Sequence, residues 1–134
     1  MSILSGVNLN EYEEPSILPD GEEIDFRIID VEEKSKPETG SEWIQLVLQP
    51  FNTSATNPTP VYHNLFKPTA ADDKQKKNIK IGQIKRFTDC VGYISADGTV
   101  NTEELFGKTG RAIVKVNANE GYEPRNEVKK FLKQ

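Results

Sequence analysis

Between Glu22 and Glu33 the chain reads EEIDFRIIDVEE, with Ile24, Phe26 and Ile28 at alternate positions and Ile29 and Val31 on the opposite parity. A strand turns successive side chains to opposite sides, so this alternation predicts a strand with one apolar face. The change of parity predicts a bulge in a long, strongly bent strand. Glu42–Gln49 predicts a second strand, with Ile44, Leu46 and Leu48 on one face and Trp43, Gln45, Val47 and Gln49 on the other. Val61–Phe66 predicts a third; Val61, His63 and Leu65 oppose Tyr62, Asn64 and Phe66, and both faces carry a large group. Two further alternating runs, Arg111–Val116 and Asn126–Leu132, flank the turn-rich stretch Asn117–Arg125 and predict a hairpin. Its first strand puts Ala112, Val114 and Val116 on one side and Arg111, Ile113 and Lys115 on the other.

The period changes between the third and fourth strands. Ala70–Lys80 is helix-friendly and basic, with Asp72 and Asp73 placed to complement the dipole at its start. Gly82 is expected to interrupt it. Ile84, Phe87, Val91 and Ile94 then recur at spacings of three and four, which predicts an amphipathic helix over Gln83–Tyr93 that plugs the core. Cys90 falls beside that stripe, as a buried and inert thiol would. Asn101–Leu105 predicts one helical turn capped by Asn101.

Pro19-Asp20-Gly21, Lys36–Gly40 and Ala96-Asp97-Gly98 are turn signals, and Asn52–Pro60 is a polar loop. Residues 1–18 read as an acidic arm and 19–134 as one domain. Three strands, helix, two strands is the order of the OB-fold, a mainly β, five-stranded Greek-key barrel with a helical segment between strands 3 and 4. A bulged first strand suits the closure of so small a barrel.

Length and composition keep this picture and narrow the class. The chain has 134 residues, 35% hydrophobic and 28% charged, in proportion for one soluble domain with its own core. One cysteine excludes an internal disulfide. The start MSILSGVNLNEYEE has neither the basic beginning nor the apolar run of a signal peptide. No apolar run reaches the ~20 residues of a membrane span, so a cytoplasmic protein is expected. The net charge of −4 is unevenly distributed. Residues 1–42 hold 12 acidic and 3 basic side chains, the remainder 9 acidic and 14 basic. Association follows the local field rather than the total, so the second part can still meet a polyanion.

Enzyme signatures are scarce. His63 is the sole histidine and has no cysteine or second histidine near it, which excludes the usual Cys/His zinc site. Neither Tyr62-His63-Asn64 nor Cys90-Val91-Gly92 resembles a nucleophile motif. Gly107-Lys108-Thr109 lacks the upstream glycine of a phosphate loop and precedes a strand rather than a helix. Adjacent acids such as Glu22/Glu23 and Glu32/Glu33 point to opposite sides of a strand and cannot jointly grip one metal. No catalytic residue, cofactor or metal is expected.

Binding remains. On an OB barrel strands 2 and 3 and the loops after strands 1 and 4 form the nucleic-acid face. Projected on this chain, Trp43, Gln45 and Tyr62 come from the strands, with Phe66 beside them. Lys34 and Lys36 come from the first loop, and Tyr122 and Arg125 from the last. Arg111, Lys115, Lys129 and Phe131 extend the set along the hairpin. Cations beside flat rings suit a single strand, the charges following phosphates and the rings stacking on bases. Two readings of the tryptophan stand side by side: a core residue, as large rings usually are, or a ring exposed among polar neighbours, as its phase suggests.

Gly107–Val116 (GKTGRAIVKV) and Gly121–Phe131 (GYEPRNEVKKF), opened by the lead-in Pro19–Leu46, resemble the small bacteriophage-encoded single-stranded DNA-binding proteins with an OB-fold. The resemblance covers roughly residues 18–133. Asn126, Val128 and Phe131 match that family's hairpin pattern and Tyr122 its loop aromatic. It implies a largely sequence-independent binder of single-stranded DNA in phage replication or recombination, in a host cytoplasm and without a cofactor. A phage recombinase or replication protein and further copies of the chain are the implied protein partners; a membrane is not. The alternative is a protein-interaction module on the same barrel. One departure is the basic ending Lys129–Gln134, where many such proteins carry an acidic tail.

Overall fold

A computed structural model describes residues 3–119 and 121–133. Met1 and Ser2 of the predicted arm, Glu120 of the predicted hairpin loop and Gln134 lie outside the described residues. Five antiparallel strands form one sheet: β1 (Glu23–Lys36), β2 (Ser41–Phe51), β3 (Val61–Phe66), β4 (Thr109–Asn117) and β5 (Arg125–Leu132), in the spatial order β3-β2-β1-β4-β5. Helix α1 (Lys74–Cys90) lies between β3 and β4, followed by a 3-10 turn at Thr102–Leu105 that Asn101 caps.

The bulge falls where the parity changes. Ile28 pairs with Leu48 and Asp30 with Val47, so Ile29 is the extra residue and its side chain is exposed. Past it, Asp30, Glu32 and Lys34 share the outer face with Val47, Gln45 and Trp43 opposite them, while Val31 packs against the core. The inner face gathers Ile24, Phe26, Ile28, Leu46, Leu48, Val61, Leu65, Ala112 and Val114, covered by Phe87 and Cys90 of the helix, by Val91 that follows it and by Leu105. The two outer strands of the sheet, β3 and β5, come near each other. There the His63 ring of β3 meets Phe131 of β5 edge-on at 4.9 Å. No hydrogen-bonded ladder joins β3 to β5, and the sheet remains open.

Helix α1 differs from its expected division. Asp73 caps it by accepting from the Lys76 amide at 2.7 Å, and it runs unbroken through Gly82. A glycine terminates a helix only by turning left-handed, and Gly92, not Gly82, does so at φ +70°. The Gly92 and Tyr93 amides donate to the Asp89 and Thr88 carbonyls, closing the last turn. Ile94, expected to continue the apolar stripe, is therefore thrown clear of the helix and is 90% exposed.

The arm is not detached throughout. Leu18 is fully buried, and Asn126 clasps its backbone, accepting from the Leu18 amide at 2.7 Å and donating to its carbonyl at 3.0 Å. Ser16 pairs with the polar loop through the Ser16 amide to Asn57 carbonyl and Thr59 amide to Ser16 carbonyl bonds, each 3.0 Å. Among the described residues no helix is long and apolar enough to cross a membrane.

Candidate nucleic-acid interface

Alternation within β2 and β3 puts Trp43, Gln45 and Val47 beside Phe66, Asn64 and Tyr62 on the outer face of the sheet, each pair in direct register. The Trp43 and Phe66 rings lie 5.4 Å apart and tilted by 32°. Trp43 is half-buried: it stands on the outer face as its phase suggests, and one edge borders an apolar cavity of about 330 Å³ walled by Ile44, Leu65, Ile84 and Val100. Tyr62 is 59% exposed. At ~3.3 Å per residue it stands roughly 13 Å along β3 from Phe66, with the amides of Gln45 and Asn64 between the two ring stations. Lys34 lies opposite Trp43 on β1, only loosely held by Glu32 at 3.9 Å, and Lys67 follows Phe66. Lys36 is exposed at the end of β1 beside the β1–β2 turn.

A second feature joins the far strands. An open groove of about 740 Å³ runs between the β3 edge and the start of β5, lined by Gln45, Tyr62, His63 and Asn64 on one side and Pro124, Arg125, Asn126 and Val128 on the other. Ile17 of the arm also lines it. The fold thus brings Gln45, Tyr62 and Arg125 to one concavity, across 80 residues of sequence between the first and the last. Arg125 donates to Glu127 at 3.1 Å. The Glu127 carboxyl is held below the usual carboxylate range by the hydrogen bond from Asn117, with Arg125 adding to it. His63, at the groove floor against Phe131, has its imidazole pKa lowered by burial. Tyr122 is 78% exposed in the β4–β5 loop, over a smaller hollow it shares with Asn117, Asn119 and Arg125.

Not every expected residue joins these surfaces. Phe131 packs against the core: partly buried, its ring meets Phe26 at 5.9 Å, Phe87 at 5.2 Å and His63 at 4.9 Å, all edge-on. The cause is a second bulge. Ile113 pairs with Lys130 and Val114 with Val128, so Lys129 is the extra residue and the strand beyond it changes phase. Arg111 does point outward, but Glu23 and Asp25 of β1 clamp its guanidinium, and β1 and β2 separate its strand from β3. Lys115 and Lys129 are exposed on β4 and β5, away from the ring pair of β2 and β3. Phe66, Asn64, Lys67 and the groove-lining Ile17 were absent from or marginal to the expected set. Strict alternation already places Asn64 and Phe66 beside Tyr62, whereas nothing local places Ile17.

Burial pushes the Cys90 thiol pKa up, as expected for an inert cysteine in the core. Among the described residues no three of His, Cys, Asp and Glu gather into a group that could hold a metal. Compared with protein-family models and with curated protein sequences, the chain matches none.

Proposed function

We propose that the chain is an OB-fold protein that coats single-stranded DNA with little sequence preference, serving phage replication or recombination in a host cytoplasm. The strand order β3-β2-β1-β4-β5, the helix between β3 and β4 and the approach of β3 to β5 support the Greek-key barrel. The observation that carries the function is the outer face of β2 and β3. It presents Trp43 with Phe66, then two amides, then Tyr62, in register and open to solvent on one side. Bases stack on such rings at ~1–3 kcal/mol each, whatever their sequence. Asp30 and Glu32 occupy the same face on β1 and repel phosphates from that side. The sugar-phosphate chain therefore runs on the β3 side, between Lys67 and Arg125, with bases directed across β2. Lys34 supplies a cation on the β1 flank, opposite Trp43.

Titration of unlabelled oligo-dT against the fluorescence of Trp43, the sole tryptophan, tests this reading. Saturable quenching that rising salt reverses is expected, because released counterions drive phosphate binding. Trp43→Ala should weaken binding of a labelled oligonucleotide by roughly 10- to 100-fold, the loss of about one stack, with an unchanged circular dichroism spectrum. Neither quenching nor a gel shift would overturn the proposal. The second reading, a docking module for a recombinase or replication protein, is favoured by the apolar cavity of about 330 Å³ beside Trp43. Apolar docking resists salt, so a partner retained in high salt together with absent oligonucleotide binding would decide for it.

A further inference from the structure

The outward side of helix α1 carries six cations and one acid, Asp89, between Lys74 and Cys90. Lys80 is held by Asp72 and Lys85 by Asp89, which leaves Lys74, Lys76, Lys77 and Arg86 without an ion-pair partner among the described residues. Ile79 and Ile81 are about half exposed on the same helix. Gly82 sits between them and Arg86, and Gln75, Ile79, Gly82 and Arg86 share one face by their spacing of three and four. This glycine has no internal reason to be there. Its φ is not left-handed, and a Cβ at this position would meet nothing closer than Arg86 Nη1 at 4.0 Å. A helix-interior glycine is unfavourable relative to alanine. What it leaves is a shallow notch where another backbone can come close, bordered by apolar and cationic side chains.

The chain carries a segment of matching chemistry. In the arm Val7, Leu9 and Tyr12 are exposed, and Glu11, Glu13 and Glu14 make no ion pair among the described residues. The arm is tied at its base to the loop before β3, through Ser16 and through the Asn57 amide donating to the Glu13 carbonyl at 2.8 Å. The tether precedes β3 in the chain, and helix α1 follows it.

We infer that the acidic, apolar arm of one copy docks on the Gly82 face of helix α1 of a second copy. Glu11, Glu13 and Glu14 meet Lys74 and Arg86, and arm backbone lies over the glycine between Ile79 and Ile81. Two different surfaces are joined, so the contact is head-to-tail and propagates as an open row rather than closing as a dimer. It is a protein–protein contact and is measured without nucleic acid, so its failure is separate from failure of DNA binding.

Sedimentation velocity across a concentration series, at low and high salt, reads it directly. The wild-type chain should sediment faster as concentration rises, and high salt should suppress this. The arm variant Glu11→Lys/Glu13→Lys/Glu14→Lys and the helix variant Lys74→Glu/Arg86→Glu should each shift half-association upward by ~10-fold or more, since like charges now face each other. Mixing the two variants should restore association, because each arm then meets a helix of opposite sign. Gly82→Leu should also weaken association with the charges intact and the helical spectrum retained. A wild-type chain that stays monomeric, variants that associate as wild type does, or a mixture that stays monomeric would overturn the inference.

Discussion

Asn126 shows how far one side chain can reach. Its amide serves three backbone groups, the Leu18 amide and carbonyl and, at 3.3 Å, the Lys115 carbonyl, and it is itself buried. Asn126→Ala leaves those groups without their side-chain partner at a largely buried site. A loss of about 2–3 kcal/mol in unfolding free energy is expected, at ~1–3 kcal/mol per buried unsatisfied group. Urea denaturation measures it, and a change below about 0.5 kcal/mol would mean that water reaches the clasp. Asn126 stands out in the hairpin sequence, but its partner Leu18, 108 residues away, is not legible locally. His63 gives a pH signature. Burial lowers its pKa, so the unfolded chain binds the proton more readily than the folded one. Stability is then full above the ordinary histidine value of about 6.5 and declines as pH falls through it towards the lower folded value. His63→Gln should flatten the stability profile just below that pH. The carboxylates Glu127, Asp72 and Asp97, whose pKa values are lowered, act in a separate window, from about 4 downward. An unchanged profile in the variant would exclude the imidazole as the titrating group.

At the scale of elements, the strands were legible because their signal is local. Parity along β1 located the bulge at Ile29, and β3 spans the same residues, Val61–Phe66, that alternation gives. Helix ends were less legible, since Gly82 and Gly92 look alike in sequence and only the backbone of Gly92 turns left-handed. A third glycine, Gly110 of β4, is fixed by packing instead. A Cβ there would lie 2.8 Å from Phe26 Cζ and 2.9 Å from Cys90 Sγ. The Phe26 ring is wholly buried and cannot retreat. Gly110→Ala should therefore destabilise the fold by ~1–3 kcal/mol through overpacking between β1, β4 and α1. Its denaturation midpoint should fall with an unchanged slope; an unshifted midpoint would show that Phe26 can move.

Over the whole molecule, charge is sorted by folding rather than by sequence position. Of the hairpin cations, Arg111 and Arg125 are held by neighbouring carboxylates, while on α1 Lys74, Lys76, Lys77 and Arg86 have no ion-pair partner among the described residues. Of the expected binding residues, Gln45, Tyr62 and Arg125 meet in one groove, Trp43 and Lys34 stand on the adjoining face, and Phe131 packs against the core. What the sequence determined by itself is whatever depends on neighbours within a few residues. That includes the parity of β1, β2 and β4, the turns at Gly21 and Gly40 and the Asn101 cap. Tertiary structure alone decided which strands are adjacent, which ion pairs form across β1 and β4, and how the bulge at Lys129 turns Phe131 inward. These depend on partners distant in sequence, and a change of phase by one residue in a bulged strand exchanges its buried and exposed faces.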